Sequence, residues 1–167
     1  MGTSGGAAPT RHQAATDVVD APVGRHVELL GEHDRSLDDR GRLSVPTSFR
    51  WAYEAGAVIL PWPGPCVALL TLDEYRAMEE AMRVKQRDRL GDPRAREALN
   101  ALSTHAFLDA SGRLFITPTL RDHAGFTQEL VVVGQRNRLE LWARPARAVG
   151  EDERWQALVA HIDAEAV

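Results

Sequence analysis

The sequence predicts an α+β fold made of two β-β-α-β-β repeats around one core, with helices joining and following them. Three observations carry that expectation: an ungapped internal match, the same helix-then-hairpin pattern after each matching segment, and helical periodicity between and beyond them. The chain has 167 residues, the size of one ordinary domain or of two small halves sharing a core. Hydrophobic residues make up 44% and charged residues 26%, which argues against global disorder and against collagen-like or coiled-coil architecture.

The internal match comes first. Residues 37–50 (LDDRGRLSVPTSFR) and 108–121 (LDASGRLFITPTLR) align without a gap at a constant offset of 71 residues, which places Asp38 on Asp109. The Leu, Asp, Gly, Arg, Leu and final Arg are identical, and Val45/Ile116 and Phe49/Leu120 are apolar swaps. This pattern reads as a duplication.

After Pro46, residues 47–55 are expected to form a short helix stopped by Gly56; after Thr117-Pro118, the run to Ala124 stops at Gly125. A hairpin follows each. Residues 57–60 (AVIL) and 67–70 (VALL) flank PWPGP, and residues 130–133 (LVVV) and 139–142 (LELW) flank GQRNR. The connector is helical: Thr71 to Glu74 reads as a capping box, with Leu72, Tyr75, Met78 and Met82 on one face and a stop at Gly91. Asp92-Pro93 starts a second helix with Ala95, Ala98, Leu99 and Leu102 at stripe spacing. A half of this size is too small to stand alone, so the two are expected to interleave about a pseudo-twofold axis.

The boundaries expected from this pattern are 29–90 for the first repeat with its connecting helix and 91–150 for the second. Residues 1–28 are rich in Gly, Ala, Thr and Pro and are expected to be a disordered tail. Residues 151–167 form an acidic helix whose Trp155, Leu158, Val159 and Ile162 fall at i, i+3, i+4 and i+7. That spacing predicts one buried stripe that docks or mediates assembly.

Acidic residues outnumber basic ones 24 to 20, giving net −4, so any nucleic-acid site must be a local patch. All the basic residues except Lys85 are arginines, whose rigid forks suit bidentate recognition. The single Cys66 cannot form an internal disulfide, and no segment reads as a targeting or membrane-spanning stretch, so the expected compartment is the cytoplasm. The six histidines lack paired zinc spacing, and no glycine-rich phosphate loop follows a strand. A Ser111/His105/His123/Asp109 grouping has no nucleophile elbow. No enzyme activity, metal, cofactor, small-molecule substrate or membrane partner is therefore expected. The basic stretch from Arg83 to Arg96 reads as a solvated helix face or a subunit contact.

Asp38-x-x-Gly41-Arg42 and Asp109-x-x-Gly112-Arg113 are tight turns by chemistry. Aspartate accepts backbone amides, and glycine three positions on takes a positive φ. The arginine then starts the returning strand beside the aspartate. As a clamp at an exposed turn such a pair contributes little. As a device for holding a guanidinium still, it suits guanine edges and phosphates.

These turns, with Leu30 to His33 before the first and residues 120–125 and 133–142 after the second, closely resemble the MraZ family, DNA-binding regulators of the division and cell-wall gene cluster related to AbrB-like proteins. The resemblance covers roughly residues 29–160 and implies a double-split β-barrel of the AbrB/MraZ type. It also implies a closed ring of subunits and binding of double-stranded DNA at short G-rich direct repeats as a sequence-specific regulator, expected to repress. The family's DNA-contact positions fall on Arg40, Arg42 and Arg113, with Asp38, Gly41, Asp109 and Gly112 supporting the turns; a cytoplasmic, nucleoid-associated protein follows. Arg40 stands where the family usually has lysine, His33 where it has an aromatic residue, and Thr117 where it often has proline. The alternative expectation is a homo-oligomeric scaffold that kept the fold without operator binding.

Overall fold

In a computed structural model, the structure describes residues 28–165. The expected disordered tail lies outside the described residues apart from Glu28. The chain runs β1 (Leu29–Ser36), β2 (Arg42–Ser44), α1 (Thr47–Arg50) with a 3-10 turn (Trp51–Tyr53), β3 (Ala57–Trp62), β4 (Cys66–Thr71), α2 (Leu72–Arg87) and α3 (Pro93–Leu102). It continues through β5 (Thr104–Ala106), β6 (Arg113–Phe115), α4 (Pro118–Ala124), β7 (Glu129–Arg136), β8 (Arg138–Ala143), α5 (Arg144–Ala148) and α6 (Glu151–Glu165). The architecture is a mixed one, an antiparallel sheet with several helices.

Six strands form one sheet in the order β1-β7-β8-β4-β3-β5, and β2 pairs with β6 in a separate ribbon. Exchanging β1 with β5, β2 with β6, β3 with β7 and β4 with β8 interchanges β1–β7 with β3–β5 and β7–β8 with β3–β4, and carries β4–β8 and β2–β6 onto themselves. Neither half pairs only with itself. After the Leu37–Leu43 bridge that closes the first turn, β1 leaves for β7 and β2 for β6, so the expected strand-turn-strand unit is a single bridge rather than a hairpin ladder. Gly134 permits the β1–β7 approach, because a Cβ there would lie 2.5 Å from the Leu29 carbonyl oxygen.

Alternation sorts the side chains. Ile59 and Leu69 face the main core with Leu43, Leu114, Leu130 and Val132, while Leu60, Ala68 and Leu70 face the opposite side, under α2 and α3. With both faces covered, β3 and β4 read as continuous apolar runs. Tyr53 is fully buried, and its hydroxyl donates to the Leu69 carbonyl at 3.0 Å. His33 meets Phe49 edge-on at 5.1 Å.

Several local expectations are corrected. The residues expected to form one short helix over 47–55 divide into α1 and the 3-10 turn. The Thr71 hydroxyl caps α2 by accepting from the Glu74 amide at 3.2 Å, but the Glu74 carboxylate accepts from Asn137 Nδ2 at 3.0 Å instead of closing a reciprocal box. α2 stops at Arg87, and Arg89, not Gly91, takes the left-handed conformation, at φ 60°. The Trp155, Leu158, Val159 and Ile162 stripe is exposed, not buried, because among the described residues no other element lies against that face of α6. The α3 cap at Asp92 and the left-handed stop at Gly125 are as the sequence reads.

Candidate nucleic-acid interface

Each repeated turn is built around its aspartate. Asp38 Oδ1 accepts the amides of Arg40 and Arg42 at 3.0 and 2.8 Å, and its Oδ2 accepts Arg42 Nε at 2.8 Å. Asp109 repeats the arrangement, taking the amides of Ser111 and Arg113 at 2.9 and 3.0 Å and Arg113 Nε at 3.0 Å. Gly41 and Gly112 close the turns at φ 76° and 74°, which L side chains resist.

The pairing of β2 with β6 brings the two turns side by side. Gly112 O accepts the Val45 amide and Gly41 O accepts the Ile116 amide, both at 3.0 Å, so each turn is tied to the strand leaving the other. Arg42 Nη1 lies 3.7 Å from Asp109, and Arg113 Nη1 lies 3.7 Å from Asp38. Two arginines and two aspartates thus form one crossed cluster.

The amide of Arg42, followed by its guanidinium, holds the Asp38 carboxyl below its ordinary value of 3.8; the Arg113 amide does the same for Asp109. Both aspartates are therefore charged at neutral pH and keep their arginines oriented. The arginine side chains are 27% and 34% exposed, and among the described residues no hydrogen bond uses Nη2 of either. Each fork thus keeps an Nη2 donor that the turns do not use, a group suited to a base edge or a phosphate. Arg40 is exposed beside them, and its counterpart at the offset, Ser111, carries no charge.

Sequence reasoning gave no role to two further residues, Arg50 and Arg121, the identical last positions of the internal match. They cross over: Arg50 packs on Gly112, and Arg121 packs on Gly41. Arg50 is tethered, donating Nε to Val45 O at 2.8 Å and Nη2 to Ser44 Oγ at 3.3 Å. Arg121 Nε is buried with no hydrogen-bond partner among the described residues. The repetition of the arginine was the available signal; its reach to the opposite turn needed the fold.

The remaining chemistry is sparse. Burial, followed by the nearby Glu140 charge, pushes the Cys66 thiol up to about 11, so it stays protonated at neutral pH. Among the described residues, no group of three or more His, Cys, Asp and Glu side chains is placed to hold a metal ion, and no helix is long and apolar enough to cross a membrane. Trp62 is half-buried, with the Arg138 guanidinium 4.8 Å from its ring centroid.

The family model described as "MraZ protein, putative antitoxin-like" matches residues 102–165. A protein named transcriptional regulator MraZ from Enterobacter sp. (strain 638) is 37% identical over 140 residues, covering 78% of this chain and 84% of its own length. The chain belongs to the MraZ family. MraZ proteins so named from Escherichia coli O127:H6 and Parafrankia sp. (strain EAN1pec) are 34% and 33% identical, over 78% and 79% of this chain and 84% and 87% of theirs.

Proposed function

We propose that this chain is a sequence-specific DNA-binding transcriptional regulator, a repressor of the division and cell-wall gene cluster that reads G-rich direct repeats. Its relatives are named as transcriptional regulators, which supports the broader part of this reading. The observation that carries the DNA contact is the crossed cluster: two aspartates orient Arg42 and Arg113 side by side, and the Nη2 donor of each is left unused by the turns. Arg42 and Arg113 contact guanine edges, and Arg40 adds a base or phosphate contact. Asp38, Gly41, Asp109 and Gly112 hold the turns.

The local charge supports this despite the acidic total. Arg40, Arg42, Arg50, Arg113 and Arg121 gather against Asp38, Asp39 and Asp109, and screening removes charges much beyond about 8 Å. The pairings that survive exchange of the two halves support a double-split β-barrel with repeats over 29–90 and 91–150. One subunit offers few contacts, so assembly into a ring on successive repeats supplies avidity of about 10²–10⁴. A cytoplasmic protein associated with the nucleoid follows from that role.

Arg42→Ala tests the reading. It is expected to weaken binding to DNA from the chain's own upstream region by about 5- to 150-fold, corresponding to the loss of a contact worth about 1–3 kcal/mol. Circular dichroism and elution volume stay unchanged. If the wild-type chain ignores that DNA at low ionic strength, the reading fails and a homo-oligomeric scaffold takes its place.

A further inference from the structure

We infer that α6 of one subunit docks into the apolar groove between the β3–β4 hairpin and the α2–α3 pair of a second copy. This deepens the assembly part of the proposed function and rests on it. On α6, Trp155, Leu158, Val159 and Ile162 form a continuous stripe, with Trp155 65% and Ile162 55% exposed. A helix of 15 residues is marginal by itself in water, and an exposed tryptophan stripe calls for a cover.

The same chain displays a matching surface. A cavity of about 310 Å³ is lined by Trp62, Met78, Met82, Ala98, Leu99 and Leu102. Leu102 is itself 52% exposed, and methionines give such a groove the adaptability to accept a helix. Ala95 to Leu102 along α3 and Trp155 to Ile162 along α6 each run seven residue steps, about 10 Å at the helical rise.

Charge selects the occupant and its direction. Lys85 continues the Met78–Met82 stripe one turn on, and Arg94 sits one turn before Ala98, so both mark the end of the groove where α2 meets α3. Both are exposed, and among the described residues neither has an ion-pair partner. The first turn of α6 carries Glu151, Asp152 and Glu153, also unpaired among the described residues. The acidic turn therefore lies at the cationic end, and the stripe follows along the groove. Parallel pairing of α6 with another α6 is disfavoured, because it places the acidic first turns together. Docking of helix into groove is head-to-tail, the contact type that closes into rings.

Complementation of two full-length variants is the test, read by sedimentation velocity with circular dichroism as the folding control. Trp155→Asp/Ile162→Asp spoils the helix and leaves the groove; Ala98→Asp/Leu102→Asp spoils the groove and leaves the helix. Each alone is expected to be monomeric, and an equimolar mixture is expected to give a species of twice the monomer mass, because one intact helix meets one intact groove. Lys85→Glu/Arg94→Glu changes only exposed charges and is expected to weaken assembly at least about tenfold, so the groove is probed without risk to folding. If the wild type assembles and the helix variant assembles equally well, or the folded groove and charge variants both assemble normally, the docking is wrong while the ring reading stands. A wild-type chain that is monomeric at tens of micromolar removes both.

Discussion

At the scale of single residues, the two turn glycines are equivalent in φ but not in surroundings. A Cβ on Gly112 would lie 2.4 Å from Arg50 Cζ, whereas one on Gly41 would lie 3.0 Å from Arg121 Cζ. Arg50 is held by the Val45 carbonyl, and Arg121 Nε has no partner to lose among the described residues. Displacing Arg50 therefore breaks a hydrogen bond, and displacing Arg121 does not. Gly112→Ala is expected to destabilise the fold by about 2–4 kcal/mol, combining the left-handed strain with the lost bond, and Gly41→Ala by about 1–2 kcal/mol. Urea unfolding of both variants checks the order; equal losses mean the tether does not matter.

At the scale of elements, the two turns act as a unit that acid should loosen. Asp38 and Asp109 are held below 3.8 by the amides and guanidiniums around them, so folding favours their charged forms. Their stabilisation is complete above the ordinary aspartate range and is lost as pH falls through the lowered folded values. Stability measured between pH 5 and pH 2 should therefore decline, and the Asp38→Asn/Asp109→Asn variant should show a shallower decline. An unchanged slope means other carboxylates dominate. Much of this unit was legible in the sequence: Asp, Gly and Arg at fixed spacing dictate the turn, and the 71-residue offset announces it twice. The β3–β4 and β7–β8 hairpins were legible too, but not which strands pair across the two halves. Residues 42–44 read equally well as a partner of the strand before them or of β6, since a three-residue strand carries no register information beyond one buried leucine. The α6 stripe was legible as a stripe, but periodicity does not say whether the cover comes from the same chain.

At the scale of the whole molecule, the exchange of halves that preserves every strand pairing is broken in charge. The first turn presents Arg40 with Arg42, while the second presents Ser111 with Arg113. On the proposed reading, a protein of net −4 binds DNA against its own overall field, so each exposed cation on the candidate face weighs heavily. Ser111 is exposed, and its amide already donates to Asp109, so its side chain can be replaced without touching the turn's backbone bonds. Ser111→Arg restores the missing symmetry and supplies one more phosphate contact. The expected outcome is tighter binding to operator DNA, with the plot of log affinity against log salt steeper by about 0.9 per subunit engaged. Fluorescence anisotropy titrations across a salt series measure that slope. A tighter complex with an unchanged slope would place the introduced guanidinium on a base edge instead of a phosphate, whereas no change in either quantity would mean that the second turn faces away from the duplex.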